Sequence, residues 1–201
     1  MEKNKLRRKI ELTTNNFGQM ANRLERRNFM FQFLLMYYSV IGIVNELFPL
    51  YFNLEKTFNA TYLSFFNFWN ICTAIIFLIF SSQIALFKYP ERTKSCMKSL
   101  NNLKELQNDL ETEDENKIKD KYYKIISEID FLFSRTDFYL SCVTIDKGKE
   151  EKDKHEVKNH FGFFEKFFIN IKLGLEYLAY ILLVTTPIIM YIYIFIKLFQ
   201  K

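Results

Sequence analysis

The side chains best suited to function are hydrogen-bonding residues placed inside apolar runs. Asn67 and Asn70 occur within residues 57–87, a run of 31 residues that contains no charged side chain. Because polar groups are costly to expose to hydrocarbon, we expect both to face protein or water. At helical spacing they belong to two lines of small or polar residues: Gln32, Ser39, Gly42 and Glu46 in one run, and Ser64, Asn67, Asn70, Ala74 and Ser81 in the next.

Two interpretations of these lines stay open. In the first, small residues let two helix backbones approach closely, while asparagine and glutamine hydrogen-bond across the contact. In the second, all nine residues line a water-filled axis in an oligomer and form a pore, where a ring of Glu46 carboxylates would favour cations. The alternative for Glu46 is a solvated residue at the membrane interface.

Covalent catalysis has little support in the sequence. Phosphate-binding glycine loops, Ser-His-Asp arrangements, HExxH motifs and C-x-x-C pairs are all absent. His155 and His160 lie in the highly charged residues 146–160 without a nearby cysteine, which favours solvated histidines over a metal site. The three cysteines are predicted to be free thiols: Cys72, Cys96 and Cys142. We therefore predict no enzymatic activity, no catalytic residue, no metal and no cofactor.

Three charge-free runs predict an all-α membrane protein. A helix needs about 20 apolar residues to cross the hydrocarbon core. This length predicts a transmembrane hairpin over residues 29–87, with spans at about 29–52 and 60–87, and a third transmembrane helix within residues 173–201. The first run is longer than the apolar segment of a signal peptide, so we expect a retained anchor. Pro187, with Thr185 and Thr186, predicts a bend in which a threonine hydroxyl satisfies the freed carbonyl.

Residues 1–28 predict a basic amphipathic helix that lies at the membrane surface or leads into it. They contain eight Lys or Arg against three acids, and Ile10, Phe17, Met20, Ala21 and Leu24 share one helical face. We predict that the basic residues Arg23, Arg26 and Arg27 lie at the membrane surface. The positive-inside rule places the N-terminus and residues 88–172 in the cytoplasm, and the C-terminus outside.

Residues 88–172, which contain 17 basic and 17 acidic residues, are predicted to form a cytoplasmic helical hairpin or stalk, since two apolar stripes recur at helical spacing. Two apolar seams contain the predicted assembly or coupling residues: Leu100, Leu103, Tyr122, Ile125 and Ile129. The seams pair either with each other or between subunits. Residues 146–160 are predicted to form a mobile charged loop. The phenylalanines after it predict an interfacial helix that leads into the third span.

Three stretches follow one another in a characteristic order: "NFGQMANRLERRNFMFQFLLMYYSVIGIV" (Asn16–Val44), "ERTKSCMKSLNNLKELQNDL" (Glu91–Leu110) and "IKDKYYKIISEI" (Ile118–Ile129). On these stretches, residues 10–145 resemble the SLATT family, the small two-span effector domains of bacterial conflict systems. Arg23 falls in an A-x-R-L-type start, and Ser39 matches a serine of the family's first span. Tyr122 with Ile125 and Ile126 is similar to the branch associated with reverse transcriptases, as in retrons. The third apolar run exceeds the two-span pattern.

The resemblance implies an effector of the bacterial inner membrane that acts in antiviral defence. Such a protein would oligomerise and permeabilise the bilayer as a pore, causing abortive infection. Its expected partners are the lipid bilayer, further copies of itself, and a sensor such as a reverse transcriptase or a nucleotide-signalling protein. Direct nucleic-acid binding is not expected, since no concentrated basic face with interleaved aromatics occurs. The alternative is a non-conducting adaptor whose cytoplasmic helices dock a signalling or nucleic-acid-bound partner.

Overall fold

A computed structural model describes residues 2–52, 60–128, 133–149 and 156–199. Within these ranges the regular secondary structure is α-helical, without a strand, and short turns connect the helices. The helices are α1 (Glu2–Phe52), α2 (Ala60–Phe87), α3 (Tyr89–Asp109), α4 (Glu115–Ser127), α5 (Arg135–Lys147), α6 (Glu156–His160) and α7 (Phe163–Phe199). Three helices are long and apolar enough to cross a membrane, by length and composition. The predicted all-α membrane architecture is therefore confirmed.

The chain divides into two compact units. One comprises Met1–Arg26 and Tyr89–Lys172 and is called the polar unit; the other comprises Arg27–Lys88 and Leu173–Lys201 and is called the apolar unit. Each unit combines segments that are far apart in sequence, so its packing depends on contacts between distant parts of the chain.

The N-terminal amphipathic segment forms part of the core of the polar unit. Its apolar face is 0–7% exposed and packs against protein, so this face does not lie on a membrane surface. The alternative agrees with the structure, since α1 continues without a break into the first apolar run. Phe17 packs edge-on against Phe133, and its carbonyl accepts a hydrogen bond from the Cys96 thiol. An amphipathic pattern indicates that a face is covered but does not specify whether lipid or protein covers it.

The two seams of the polar unit pack against each other within one chain, as helices α3 and α4. Leu100, Leu103 and Tyr122 are buried, and Ile125 is half-buried. Ile129 lies outside the described residues. Their predicted role in assembly or coupling stays a prediction.

The structure differs from the predicted loop over residues 146–160 at its two ends, and residues 150–155 lie outside the described residues. Asp146 is buried in α5, and its carboxylate accepts hydrogen bonds from the backbone N–H groups of Glu156 and Val157, at 3.1 and 2.9 Å. This carboxylate satisfies donors that the first turn of α6 leaves free. This charged segment can be helical because the Asp146 carboxylate is paired with backbone N–H donors. His155 lies outside the described residues.

Helix boundaries in the polar unit follow local chemistry. Ser134 caps α5: its hydroxyl accepts a hydrogen bond from the Asp137 N–H at 3.2 Å, and the Asp137 carboxylate accepts one from the Ser134 N–H at 2.8 Å. Pro90 lies in the first turn of α3, where its missing N–H is tolerated.

In the apolar unit, α7 packs against the hairpin formed by α1 and α2. Leu34, Tyr38, Ile41 and Phe80 form its buried cluster. Side chains of α7 that pack against this cluster include Tyr180, Leu183, Val184 and Tyr191. The third apolar helix is thus part of the same packed unit as the hairpin.

Candidate functional site

Five of the nine predicted pore-lining residues meet in one groove on the hairpin of the apolar unit. The groove has a volume of about 640 Å³ and lies between α1 and α2. The five are Ser39, Gly42, Glu46, Asn70 and Ala74. The groove is also lined by Tyr38, Ile43, Asn45, Thr73, Phe77 and Leu78. The two polar lines inferred from helical spacing therefore converge, over part of their length, on one concave surface.

The other four predicted residues do not line the groove. Gln32, Ser64, Asn67 and Ser81 are exposed on the surface of the unit. Gln32 lies near Asn28, with its amide nitrogen 3.4 Å from the Asn28 side-chain oxygen. The structure thus separates the nine residues into a groove set and an outward set.

A chain of buried hydrogen bonds runs beside the groove and joins all three apolar helices. The Tyr191 hydroxyl of α7 donates to the side-chain oxygen of Asn45, which is 1% exposed. The Asn45 amide donates to the Thr73 hydroxyl at 3.2 Å, and that hydroxyl donates to the backbone carbonyl of Asn70 at 2.8 Å. Neutral hydrogen bonds of this kind join helices where water is excluded.

The sequence interpretation missed Asn45, Thr73 and Tyr191. Asn45 follows Gly42 by three residues and Thr73 follows Asn70 by three, so both could have been found by extending the two lines. Tyr191 carried no such signal, because tyrosine is common at the edges of apolar spans.

One polar atom of the groove has no partner. Among the described residues, the side-chain oxygen of Asn70 is buried without a hydrogen bond. An acceptor in this state costs about 1–3 kcal/mol, which a donor supplied by another molecule would recover. Asn70 is therefore the groove residue whose chemistry is incomplete in a single chain.

Two tyrosines of α1 hold α7 at its internal proline. Pro187 has no N–H, so the carbonyl of Leu183, four residues earlier, loses its helical donor. The Tyr38 hydroxyl donates to that carbonyl at 2.9 Å, and the Tyr37 hydroxyl donates to the carbonyl of Val184 at 2.8 Å. The prediction that a threonine fills this role is wrong.

Thr185 and Thr186 instead donate to carbonyls one turn earlier, those of Ile181 and Leu182. Their hydroxyls reach back along their own helix, which is the usual local hydrogen bond for threonine in a helix. The carbonyl freed by proline is thus satisfied by a neighbouring helix.

The predicted membrane-surface cations have separate surroundings. Arg23 pairs with Asp137 in the polar unit through two hydrogen bonds of 2.7 Å, and the Asp137 side chain is fully buried. Arg27 pairs with Glu176 in the apolar unit at 2.7 and 3.0 Å. Arg26 is half-buried. Arg23 is therefore a structural partner of a buried carboxylate rather than a free surface cation.

A second carboxylate of the polar unit is buried beside two cations and a histidine. Glu156 contacts Arg8 at 2.9 Å, Lys149 at 3.4 Å and His160 at 3.8 Å. Burial alone would raise the pKa of the Glu156 carboxyl, but the hydrogen bonds and charges of Arg8 and Lys149 lower it below the usual 4.5. Glu156 is therefore held in its charged form.

The thiols of the polar unit are inert at neutral pH. All three cysteines are free. Burial, followed by the nearby Asp137 charge, raises the pKa of the Cys96 thiol to about 11. Burial, followed by Glu156, raises the pKa of the Cys142 thiol to about 11. A protonated thiol is a poor nucleophile and a poor metal ligand, and the described residues contain no cluster that could hold a metal ion.

Tyr122, a predicted coupling residue, is hydrogen-bonded inside the polar unit. Its hydroxyl lies 3.0 Å from the Thr13 hydroxyl. The Lys9 ammonium lies over the rings of Tyr122 and Tyr123, at 5.2 and 5.0 Å from their centroids. Tyr122 thus connects α1 to α4.

Comparison with known proteins gives one family match. The model of the family described as "SMODS and SLOG-associating 2TM effector domain family 5" matches residues 1–195. No curated protein matches the chain, and no solved structure does. The match covers both units and includes the third apolar helix.

Proposed function

Because the chain belongs to the SMODS and SLOG-associating 2TM effector domain family, we propose that it is a bacterial inner-membrane effector of an antiviral conflict system. Copies of the protein assemble in the membrane and permeabilise it as a pore, which arrests or kills the infected cell. The action requires no covalent chemistry. Assembly is driven by hydrogen bonds between copies, which satisfy polar side chains that would otherwise lie unpaired in an apolar environment.

The observation that carries this proposal is the groove with the unpartnered Asn70 oxygen. Acyl chains have no hydrogen-bond donor, so lipid in the groove would leave this oxygen unsatisfied. A neighbouring copy can supply a donor. Ser39, Gly42 and Ala74 keep the groove shallow enough for a helix to approach closely.

The outward set of polar residues supports a wet axis in the assembly. Asn67 of the outward set is exposed on α2, and Glu46, which lines the groove, is itself exposed on α1. Polar side chains in spans are stable where they face other protein or a water-filled cavity. In an assembly, the groove would serve the contact between copies and the outward set would face water. The exposed Glu46 carboxylates at the edge of that contact would favour cations.

The third apolar helix remains docked on the hairpin in this scheme. It contacts α1 through Tyr37, Tyr38 and Asn45. None of the residues that line the groove belongs to α7. The assembling element is then a three-helix unit, although the family description counts two transmembrane segments.

The polar unit is the proposed receiver of the signal. The N-terminus and residues 88–172 lie in the cytoplasm and the C-terminus lies outside, as the basic residues before the first span favour. A reverse transcriptase or a nucleotide-signalling protein would act on the α3–α4 hairpin. If the protein were instead a non-conducting adaptor, the same unit would dock its partner and the spans would serve only as an anchor.

Membrane potential in bacteria tests the proposal. The gene is expressed at graded levels, and a potential-sensitive dye is recorded for the wild type and for Asn67→Leu with Asn70→Leu. We expect depolarisation that the double variant abolishes at equal protein level. The matched control is Ile71→Leu with Ile75→Leu, which alters exposed apolar residues of the same helix. Depolarisation retained in the asparagine variant would contradict pore lining, and an unchanged potential at every level would favour the adaptor.

Topology is tested separately by cysteine labelling. A cysteine introduced at Lys56 should react with an impermeant maleimide on intact spheroplasts, and one at Lys149 only after lysis. The parent chain without either substitution gives the background of the native thiols. Labelling of the Lys149→Cys protein before lysis would reverse the proposed orientation.

A further inference from the structure

The exposed large apolar residues of the polar unit are concentrated on one stretch of nine residues. At the start of α7, Phe163, Phe164, Phe167, Phe168 and Ile171 are 79%, 74%, 53%, 65% and 41% exposed. In the rest of the described part of this unit, only Met97 and Tyr123 belong to the same class. A contiguous apolar patch on an otherwise polar surface marks a site of interaction. We call these five residues the aromatic face.

The opposite side of the helix fixes the direction of the aromatic face. Phe161, just before α7, and Ile169 are buried, at 4% and 7% exposed, whereas the Glu165 side chain between them is 38% exposed. The Arg135 guanidinium donates to Glu165 at 2.6 Å and lies 4.5 Å above the centre of the Phe161 ring. Because these contacts hold the inner side, the phenylalanines cannot rotate into the core of the unit.

The charges beside the aromatic face fit an anionic surface. At 3.6 residues per turn, Lys166 falls on one margin of the aromatic face and Lys172 on the other. The acid of this segment, Glu165, lies on the inner side and is paired with Arg135. A lysine at the edge of an apolar face can lay its stem along that face and reach a phosphate with its ammonium group.

The helix that carries the aromatic face also carries a span. α7 is continuous from Phe163 to Phe199, and its charge-free run begins at Tyr177, six residues after Ile171. The apolar environment closest to the aromatic face along the chain is therefore the membrane that this span would cross. Helices with aromatic residues on one face and lysines at its margins lie at the boundary between headgroups and acyl chains.

We propose that the aromatic face binds the interfacial layer of an anionic phospholipid bilayer. Its phenylalanines insert at the level of the first acyl carbons, while Lys166 and Lys172 contact lipid phosphates. This inference is independent of pore formation, since it concerns a surface of the polar unit and requires only one copy of the chain.

Fluorescence quenching by lipid tests the proposal. Trp69 is the only tryptophan, so Phe164→Trp in a Trp69→Phe background gives a single reporter in the full-length chain. The protein is reconstituted in vesicles of phosphatidylcholine and phosphatidylglycerol, with and without lipids brominated near the headgroup. We expect blue-shifted emission that loses roughly half of its intensity with brominated lipid, as for a side chain at the acyl boundary.

The matched control is Tyr123→Trp in the same background, an exposed aromatic position of the polar unit away from the aromatic face. It should show red emission without quenching. Emission from the Phe164→Trp protein that resembles the control would overturn the proposal. Blue-shifted emission without quenching would also overturn it, because protein rather than lipid would then cover the face.

The contribution of charge is tested by Lys166→Gln with Lys172→Gln in the reporter protein. Quenching should be weaker for this variant than for the reporter protein with both lysines. It should also be weaker for the reporter protein in vesicles of phosphatidylcholine alone than in vesicles that contain phosphatidylglycerol. Quenching that is unchanged in both conditions would overturn the preference for anionic lipid.

Discussion

In the polar unit the most deeply buried polar side chains include charged ones, whereas in the apolar unit they are neutral. Asp137 is fully buried against Arg23, and Glu156 is buried against Arg8. The apolar unit instead buries Asn45 and Thr73, with tyrosine hydroxyls as donors. Its described ion pair, Arg27 with Glu176, lies just outside the charge-free runs and is about one quarter exposed.

This difference between charged and neutral buried contacts shows how the surroundings of a helix bundle select its polar contacts. Water around the polar unit solvates a charge that loses its partner, so folding can use ion pairs. Hydrocarbon provides no such solvation, and an unpaired charge there would cost far more than an unpaired hydroxyl. Hydroxyls that bond to carbonyls give specific helix contacts without that risk.

The largest effect is expected from breaking the buried ion pair of the polar unit. Asp137→Asn removes the charge that neutralises Arg23 and weakens the capping box at the start of α5. Removing one partner of a buried pair costs about 3–5 kcal/mol. We expect a lower denaturant midpoint for the polar unit, measured in detergent by circular dichroism.

The matched control is Glu165→Gln, which breaks the ion pair with Arg135. That pair is more than one third exposed on both sides, so solvent replaces the lost contact and the midpoint should change far less. Equal losses in the two variants would contradict the importance of burial for the Arg23–Asp137 pair.

The next effect concerns the tyrosine that satisfies the carbonyl freed by proline. Tyr38→Phe leaves the Leu183 carbonyl without its donor and should cost about 1–3 kcal/mol. Pro187→Ala restores a backbone N–H in α7. In a double-mutant cycle, the cost of Tyr38→Phe should therefore fall when Pro187→Ala is present.

Thermal unfolding in nanodiscs gives the four stabilities of this cycle. Tyr180→Phe is the control, since the structure gives no hydrogen bond for the Tyr180 hydroxyl, and it should have little effect. A Tyr38→Phe cost that is identical with and without Pro187 would rule out the proposed compensation.

A smaller effect is expected from pH through Glu156. Its pKa is lowered in the folded state, so its contribution to stability is present above about pH 4.5 and is lost as pH falls through the lower folded-state pKa. Glu156→Gln should cost about 1 kcal/mol at neutral pH and progressively less below pH 4.5. The free energy of unfolding of both proteins, measured at about one-unit steps from pH 3 to 7, should converge as pH falls. A stability difference between wild type and Glu156→Gln that grows as pH falls would contradict the lowered pKa of Glu156.

The smallest effect is expected at Lys88, between α2 and α3. Its φ of 45° is the one positive value among the described non-glycine residues. A side chain in this region costs about 1–2 kcal/mol, so Lys88→Gly should stabilise by up to about 1 kcal/mol after the entropy of glycine is included. Lys94→Gly, inside α3, should instead destabilise. A thermal midpoint that falls in both variants would contradict strain at Lys88.

Helical periodicity and charge were sufficient to predict α1 to α4, α7 and the convergence of Ser39, Gly42, Glu46, Asn70 and Ala74, but not α5 or α6. The patterns of α1 and α2 each repeat over several turns, and the hairpin brings equivalent faces together. Periodicity also marked the covered face of the N-terminal segment. It did not specify protein as the covering surface, because lipid and a helix core select the same residue types.

Contacts between distant segments could not be predicted from sequence. Nothing local to Pro187 indicates that Tyr38, 149 residues earlier, supplies its missing donor. Asp137 likewise follows Arg23 by 114 residues, and their pairing depends on the packing of α1 against α5. Asp146 was assigned to a loop because its sequence neighbours are charged. In the structure, its carboxylate accepts hydrogen bonds from the backbone N–H groups of Glu156 and Val157.

Pore formation is tested most directly by ion flux through liposomes that contain the purified chain at increasing protein-to-lipid ratio. We expect cation flux that rises more steeply than in proportion to this ratio. We also expect Asn67→Leu with Asn70→Leu to abolish the flux while the helical content of the protein is retained. Liposomes that hold their gradient at every ratio, or a double variant that leaks as the wild type does, would contradict this proposal.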